Sequence, residues 1–252
     1  MIRFFVNQTD IEDKLVRLST HDAAHVRSLR LRPSEFFIIC DGEGTDYICR
    51  LHESGDKASK CEQTYAEIVK TCRSDGEPGI KCSIYIAYSK GERLEYAVQK
   101  SVELGAYEIR LFPSKRCVAI PKDKDKKILR LQKIALETAK QSARGIVPHV
   151  IAEDSLEMAV IAAAKADLPL LPYECEDRLN LKNALETAQA QTAGLSHISV
   201  MTGPEGGFEE DEVLYAKSKA MQVVTLGRRI LRCETAPIAV LSAIMFHTGN
   251  LG

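Results

Sequence analysis

The sequence predicts an α/β protein in two parts, a compact β-rich unit followed by a larger unit in which strands and helices alternate. Three observations carry this. Short β-prone runs dominate the first 72 residues, a dense breaker segment follows at residues 73–79 (RSDGEPG), and beyond it apolar runs alternate with stretches of helical spacing. Such βαβα order calls for a mostly parallel sheet covered on both faces. The expected organisation is a domain at 1–72, a linker at 73–81 and a second domain at 82–252.

The elements follow in order. Residues 2–6 read as an opening strand and 22–29 as a short helix; β-like runs at 36–40 and 47–51 flank the turn Asp41-Gly42-Glu43-Gly44, and an alternating stretch near 64–71 completes the first unit. After the linker, 82–88 is a strand. Residues 92–104 place apolar side chains at 94, 97, 98, 102 and 104 and end at Gly105, the spacing and C-cap of a helix. A strand at 109–112, a long helix at 128–143, a strand at 147–151, a helix at 155–166 and a strand at 168–171 continue the alternation, with the charge run 122–127 read as a solvated loop. Two further apolar runs, 198–201 and 223–226, each end in a loop just ahead of a helical pattern.

Composition narrows the function. With 252 residues the chain is long enough for a sizeable core, and its formal net charge of −1 means that a nucleic-acid partner has to be held by local patches. The eight cysteines are scattered, with no C-x-x-C pair and no Cys/His cluster at zinc spacing, so reduced thiols and no metal are expected. Residues 1–6 turn polar at Asn7, too short for a signal core, and the longest apolar run, 158–164, is far below a membrane span. A soluble cytoplasmic protein with no membrane partner is the expectation.

The chemistry concentrates in the last two strand-to-helix loops. The first is Gly203-Pro204-Glu205-Gly206-Gly207-Phe208, whose glycines permit positive φ and close approach of a ligand to the main chain. It has neither the Lys-Ser/Thr ending of a Walker loop nor the G-x-G-x-x-G spacing. The acids at 209–212 suit the positive end of a helix dipole and repel phosphate, which favours a neutral or cationic ligand. The second loop, residues 226–236 (LGRRILRCETA), concentrates Arg228, Arg229 and Arg232 beside Glu234 and Thr235. An ordinary Arg232–Glu234 ion pair accounts for part of that pattern. Two such loops at successive strand ends point to a ligand site, because the carboxyl edge of an α/β sheet is where ligands bind.

These two loops closely resemble the RsmE family, the small-subunit ribosomal RNA uridine N3-methyltransferases of the SPOUT class. The likeness extends to residues 90–105 (KGERLEYAVQKSVELG), 114–117 (SKRC) and 141–148 (QSARGIVP), and at the front of the chain to 3–6 (RFFV) and 25–32 (HVRSLRLR). It covers nearly the whole chain. One departure stands at Ser34-Glu35, where family members carry Gly-Asp. The resemblance implies an N-terminal PUA-like β-barrel domain, a C-terminal SPOUT α/β domain with a deep trefoil knot, a homodimer, and S-adenosyl-L-methionine as cofactor. The partner it implies is 16S rRNA within the small ribosomal subunit, methylated at N3 of a specific uridine during ribosome maturation.

On this sequence the implied cofactor loops are near 171–174, 202–206 and 226–236, with Leu171 in the first, Thr202, Gly203, Pro204, Glu205 and Gly206 in the second, and Leu226, Gly227, Ile230, Leu231, Arg232, Glu234, Thr235 and Ala236 in the third. Methylation at N3 requires loss of an imide proton and stabilisation of an anion spread over O2 and O4, a task suited to a guanidinium. Arg144, Arg232 and Arg116 are the catalytic candidates, with RNA-phosphate contact as their alternative role. Glu205 is a possible base, or a carboxylate that caps nearby backbone N–H groups. Arg3, Arg27, Arg30 and Arg32 are the candidate RNA contacts of the first unit, and His25 is read as packing. A noncatalytic RNA-binding or ribosome-assembly protein of the same fold is the alternative; the intact cofactor loops argue against it.

Overall fold

The computed structural model describes residues 3–32, 35–52, 63–191 and 194–251. Ser34 of the family departure and Cys61 lie outside the described residues. The chain forms two compact units, one of residues 1–77 with 139–147, the other of 78–138 with 148–252.

The first unit is built on a six-stranded mixed sheet. Its strands are β1 (Arg3–Phe5), β2 (Ile11–Glu12), β3 (Leu15–Arg17), β4 (Phe37–Cys40), β5 (Thr45–Leu51) and β6 (Tyr65–Arg73), in the order β1-β4-β5-β6-β3-β2. Among the described strands of this sheet only the β1–β4 pair is parallel. The short β2 and β3, absent from the sequence reading, pair antiparallel with one another and extend the sheet beyond β6. Helix α1 (Thr20–Ser28) starts at Ser19, whose hydroxyl accepts from the Asp22 N–H at 3.0 Å. Its buried Ala23 and Val26 join Phe4, Val16, Phe37 and Ile39 in one core, where the Phe4 and Phe37 rings meet edge to face.

Residues 139–147 belong to this unit, although they lie far along the chain. Gly145 sits where a Cβ would collide with the Ser74 side chain, and a Cβ on Gly76 would come within 2.7 Å of the Ala143 carbonyl oxygen. Glu77 closes the junction: it accepts from Arg144 Nε at 3.1 Å and Arg144 Nη2 at 2.6 Å, and from the backbone N–H groups of Gly145 and Ile146 at 2.8 and 2.9 Å. The Arg144 side chain is only 3% exposed.

The second unit carries a parallel sheet of β7 (Lys81–Ala87), β8 (Glu108–Phe112), β9 (His149–Ala152), β10 (Leu168–Pro172), β11 (His197–Thr202) and β12 (Gln222–Val224), in the order β12-β10-β11-β7-β8-β9. Helices α2 (Glu92–Glu103), α3 (Lys124–Gln141), α4 (Leu156–Ala163), α5 (Leu181–Gln191), α6 (Glu210–Ser218) and α7 (Thr235–His247) connect or follow the strands. Strands buried on both faces read as continuous apolar runs, which is why β7 alternates with nothing and is buried from Cys82 to Ala87. Helix α2 buries Leu94, Ala97, Val98, Ser101 and Val102, the i, i+3, i+4, i+7, i+8 stripe of a helix on a sheet. Helix α3 begins at Lys124, so most of the charge run read as a solvated loop is helical. Its acids Asp123 and Asp125 lie at the helix start, Asp123 accepting from the Lys126 N–H at 2.9 Å.

The strand order places the functional segments. The chain steps outward from β7 to β9, returns to form β10, inserts β11 between β10 and β7, and adds β12 outside β10. Because all six strands are parallel, the loops after β7, β8, β10, β11 and β12 emerge at one edge. The order reverses beside β7 and β11, the kind of switch point at which α/β sheets open a crevice. Among the described residues no helix is long and apolar enough to cross a membrane.

Candidate active site

Three loops meet at this edge. The loop after β10 and the loop after β12 face each other across a cleft lined by Pro172, Tyr173 and Glu174 on one side and by Thr225, Leu226, Gly227, Arg229, Ile230, Leu231 and Ala236 on the other. It encloses about 410 Å³ including its solvent-open mouth. The walls are held from beneath: Tyr173 N–H donates to the Val224 carbonyl at 3.0 Å and Thr225 N–H to the Leu179 carbonyl at 2.8 Å. Gly227, at φ +100°, exposes its main chain here with nothing within 4 Å of where a Cβ would stand. That conformation favours glycine, and the open space above it is the shape of a backbone surface kept free for a ligand.

The loop after β11 is tied down on every side. A Cβ on Gly203 would come within 3.2 Å of the Phe208 ring, one on Gly206 within 2.9 Å of Arg116 Cβ, and one on Gly207 within 2.5 Å of Glu174 Oε1. Phe208 is buried and stacks on Phe112 at 6.4 Å between centroids. The acids that follow have specific partners. Glu209 and Glu212 form a reciprocal capping box, and the buried Glu212 also accepts from the Lys115 N–H at 2.9 Å and the Ser114 hydroxyl at 3.2 Å. Lys115 pairs with Asp211, while Arg116 donates to Glu209 at 2.7 Å and to the Gly206 carbonyl at 3.0 Å. The hydrogen bond from Arg116 holds the Glu209 carboxyl below its usual range.

Glu205 is the exception within this loop. Its Oε1 accepts from the Lys90 N–H at 2.8 Å and lies 3.6 Å from Arg93, yet its Oε2 is buried with no hydrogen-bond partner among the described residues. A buried carboxylate oxygen left unpaired is costly, so it marks a place where a ligand group or a proton is expected. The Glu205 side chain borders a second cleft with Lys90, Glu92, Arg93 and Val118. Beside it, burial pushes the Cys233 thiol up to about 12, with the hydrogen bond to Glu234 and the charge of Glu205 acting in the same direction. The Cys233 thiol donates to the Glu234 carboxylate at 3.2 Å, and its raised pKa disfavours the thiolate.

A family model described as an RNA methyltransferase domain matches residues 77–245. The chain is 32% identical to the ribosomal RNA small subunit methyltransferase E of Bacillus subtilis, over 98% of this chain and 97% of that one. The chain belongs to this methyltransferase family. The Mesomycoplasma hyopneumoniae member is 30% identical over 96% of this chain and 98% of its own. Among solved structures, a ribosomal RNA small subunit methyltransferase E from Neisseria gonorrhoeae, bound to S-adenosyl methionine, superposes with a TM-score of 0.78 at 28% identity, covering 98% of each chain.

Within this methyltransferase family frame, the expected residues divide. Leu226, Gly227, Ile230, Leu231 and Ala236 line the first cleft; Leu171 is buried at the end of β10, one residue before the lining begins. Thr202 is buried with its hydroxyl donating to the Tyr85 carbonyl at 3.3 Å, and Gly203, Pro204 and Gly206 shape the loop without lining that cleft. Arg232, Glu234 and Thr235 form the turn into α7, where the Arg232 carbonyl accepts from the Thr235 and Ala236 N–H groups. The Arg232 side chain is exposed, and among the described residues it makes no ion pair with Glu234. Arg116 is spent on Glu209 and Gly206.

Two of the candidate arginines are buried in ion pairs. Arg144 lies in the first unit with its guanidinium against Glu77. Arg3 is 5% exposed and grips Asp46 with both arms at 2.5 and 2.7 Å. Burial opposes the Asp46 charge, but the hydrogen bonds from Arg3 and Ser74 outweigh it and lower the Asp46 pKa. Arg27, Arg30 and Arg32 are all exposed, Arg27 donating to Thr64 at 2.8 Å, and His25 packs edge to face on Phe4. Tyr173, Glu174 and Arg229 on the first cleft fall within the expected loops 171–174 and 226–236 without having been singled out; Arg93 on the second cleft lies in the stretch 90–105, which carried the family resemblance and helical spacing but no site role. Among the described residues no group of three or more His, Cys, Asp or Glu could hold a metal ion.

Proposed function

We propose that this protein methylates N3 of a specific uridine in 16S ribosomal RNA, with S-adenosyl-L-methionine as methyl donor, during maturation of the small subunit in the cytoplasm. The chain is an S-adenosylmethionine-dependent rRNA methyltransferase by family. The observation that carries the site assignment is Gly227, whose left-handed main chain lines a cleft with its Cβ space open.

The residues present fit the cofactor. Main-chain groups of 171–174, 202–206 and 226–236 would hold it, Gly227 supplying the open wall and the apolar Leu226, Ile230, Leu231 and Ala236 the contact for its adenosine. When bound, it supplies an electrophilic methyl group on a positively charged sulfur. Everything else falls to the chain. The second cleft receives the flipped uridine, whose N3 edge is otherwise hidden in a stack. The unpaired Oε2 of Glu205 takes the imide proton, and Arg93 and Arg232 hold the resulting anion. Arg116 and Glu209 keep the glycine loop in place and act on chemistry only through it.

The N-terminal unit is read as PUA-like, with Arg27, Arg30 and Arg32 holding RNA backbone, and the second unit as a SPOUT domain whose last segment is knotted. A homodimer is supported by α7, which is apolar around most of its circumference and leaves Phe246 73% exposed, and by Ile230 at 85%. The deciding experiment is mass spectrometry of small-subunit rRNA from a strain lacking the protein. Loss of one N3-methyluridine, restored by the wild-type gene, is the expected result; an unchanged modification profile removes the assignment. Sedimentation of the pure protein at the mass of a monomer removes the dimer.

A further inference from the structure

Residues 115–133 hold eight basic and two acidic side chains in a chain whose net charge is −1. Several of the cations are neutralised locally: Lys115 by Asp211, Arg116 by Glu209, Lys124 by Asp154 at 3.2 Å, and Lys127 by Glu95 at 3.0 Å. Lys122, Lys126 and Lys133 are exposed and have no ion-pair partner among the described residues, and Arg130 is 67% exposed while sharing Glu95 with Lys127.

Helical geometry sorts these groups. Lys126, Leu129, Arg130 and Lys133 stand at i, i+3, i+4 and i+7 and share one face of α3; Leu131, Ala135 and Thr138 share the opposite face and are buried. Leu129, 71% exposed, lies in the middle of the cationic face. At 1.5 Å per residue, Lys126 and Lys133 are about 10 Å apart along the axis, so one row of cations runs along the outer side of the helix. The acids of this segment, Asp123 and Asp125, sit at the helix start and leave the row unbroken. The row also leads to the site. The loop that ends at Lys122 leaves the carboxyl edge of β8, and its Arg116 holds the Gly206 carbonyl.

We propose that Lys122, just ahead of α3, and the outer face of α3 from Lys126 through Arg130 to Lys133 form a docking rail for the phosphates of the substrate RNA. The charge complement is a polyanion, because unpaired lysines in a row attract closely spaced phosphates and release their counterions. This rests on the reading of the protein as an RNA methyltransferase. The rail positions the strand and carries no sequence information, so the catalytic groups are untouched by its loss.

The test is the triple variant Lys122→Gln, Lys126→Gln, Lys133→Gln, compared with a control triple at Lys165, Lys182 and Lys219, exposed lysines elsewhere in the same unit. Binding to a small-subunit rRNA transcript is measured across a salt series, together with methylation kinetics and S-adenosylmethionine affinity. The expected result is a roughly tenfold rise in KM for RNA and a salt slope shallower by about 2, near the 0.7–0.9 per phosphate contact, with kcat and cofactor affinity unchanged. A loss no greater than that of the control overturns the rail while the wild type continues to methylate. Reduced binding to assembled subunits with unchanged binding to protein-free RNA also overturns it, and assigns the face to an acidic protein surface. A wild type that neither binds nor methylates RNA overturns the functional reading itself.

Discussion

The two glycine-bearing loops at the sheet edge use glycine for opposite purposes. In the loop after β11 each glycine is needed because something else already fills the space: the Phe208 ring above Gly203, the Arg116 backbone and side chain against Gly206. In the loop after β12, Gly227 is needed although nothing fills the space. The first loop is a keystone that locks β8, β11 and α6 together through Glu212, Arg116 and Phe208. The second presents main chain, Ile230 and three arginines to solvent. From sequence both read as ligand loops; the glycines of the first are packed against neighbours, whereas Gly227 of the second stands in open space.

Substituting the two loops separates these purposes, and the largest effect is expected at Gly227. In Gly227→Val the new side chain enters the cleft, and φ +100° strains any L residue by about 1–3 kcal/mol. Isothermal titration should find S-adenosylmethionine affinity lowered by roughly 100-fold or more, about 3 kcal/mol. Gly206→Val instead forces a Cβ within 2.9 Å of Arg116, so its main expense is stability, of the order of 1–3 kcal/mol for overpacking, with a smaller loss of affinity. If Gly206→Val abolishes binding at an unchanged melting temperature while Gly227→Val binds normally, the comparison is inverted.

The arginines sharpen the same contrast. Arg144→Ala leaves Glu77 buried with only the Gly145 and Ile146 N–H groups for partners. Breaking a buried pair from one side costs about 3–5 kcal/mol, so the thermal midpoint of the first unit should drop well before any catalytic measurement is informative. Arg232→Ala removes an exposed side chain that has no ion-pair partner among the described residues; its melting temperature should stay within about 1 °C, while kcat falls by a factor on the order of 100 or more. A stable Arg144→Ala protein with no turnover would return Arg144 to the chemistry, and full activity of Arg232→Ala would remove Arg232 from it.

Much of the architecture was legible because its signals are local. Strands buried on both faces read as apolar runs, α2 and α7 read from spacing and apolarity, and the parallel order follows from alternation. The rest depends on contacts distant in sequence. The strands Ile11–Glu12 and Leu15–Arg17 are too short to show a pattern, and α5 buries only Ala184, Leu185 and Ala188, a weak stripe. Residues 139–147 fold with the first unit because Glu77 captures their backbone, which no boundary signal in the linker reveals. Arg3 and Arg144 look like any other arginines until Asp46 and Glu77 are found beside them. The two glycine-bearing loops were marked by motif, but which glycine has open space above it required the neighbours' positions.

The smallest expected effect concerns Cys233, which sits in the exposed loop yet behaves like a core residue. Its pKa is pushed up to about 12 by burial, then by Glu234 and the charge of Glu205, whereas an unfolded thiol ionises near about 8.5. The raised folded value means that Cys233 contributes fully below about pH 8.5 and that this contribution is lost as pH rises toward 12, since the unfolded chain releases a proton the folded chain retains. The difference in unfolding free energy between wild type and Cys233→Ala should therefore move against the wild type from pH 8 to pH 11. Iodoacetamide at pH 8.5 should label the exposed Cys175 well before Cys233. Labelling of both at equal rates, or a pH-independent difference, would place Cys233 in solvent and would make the loop after β12 open throughout, down to the turn that starts α7.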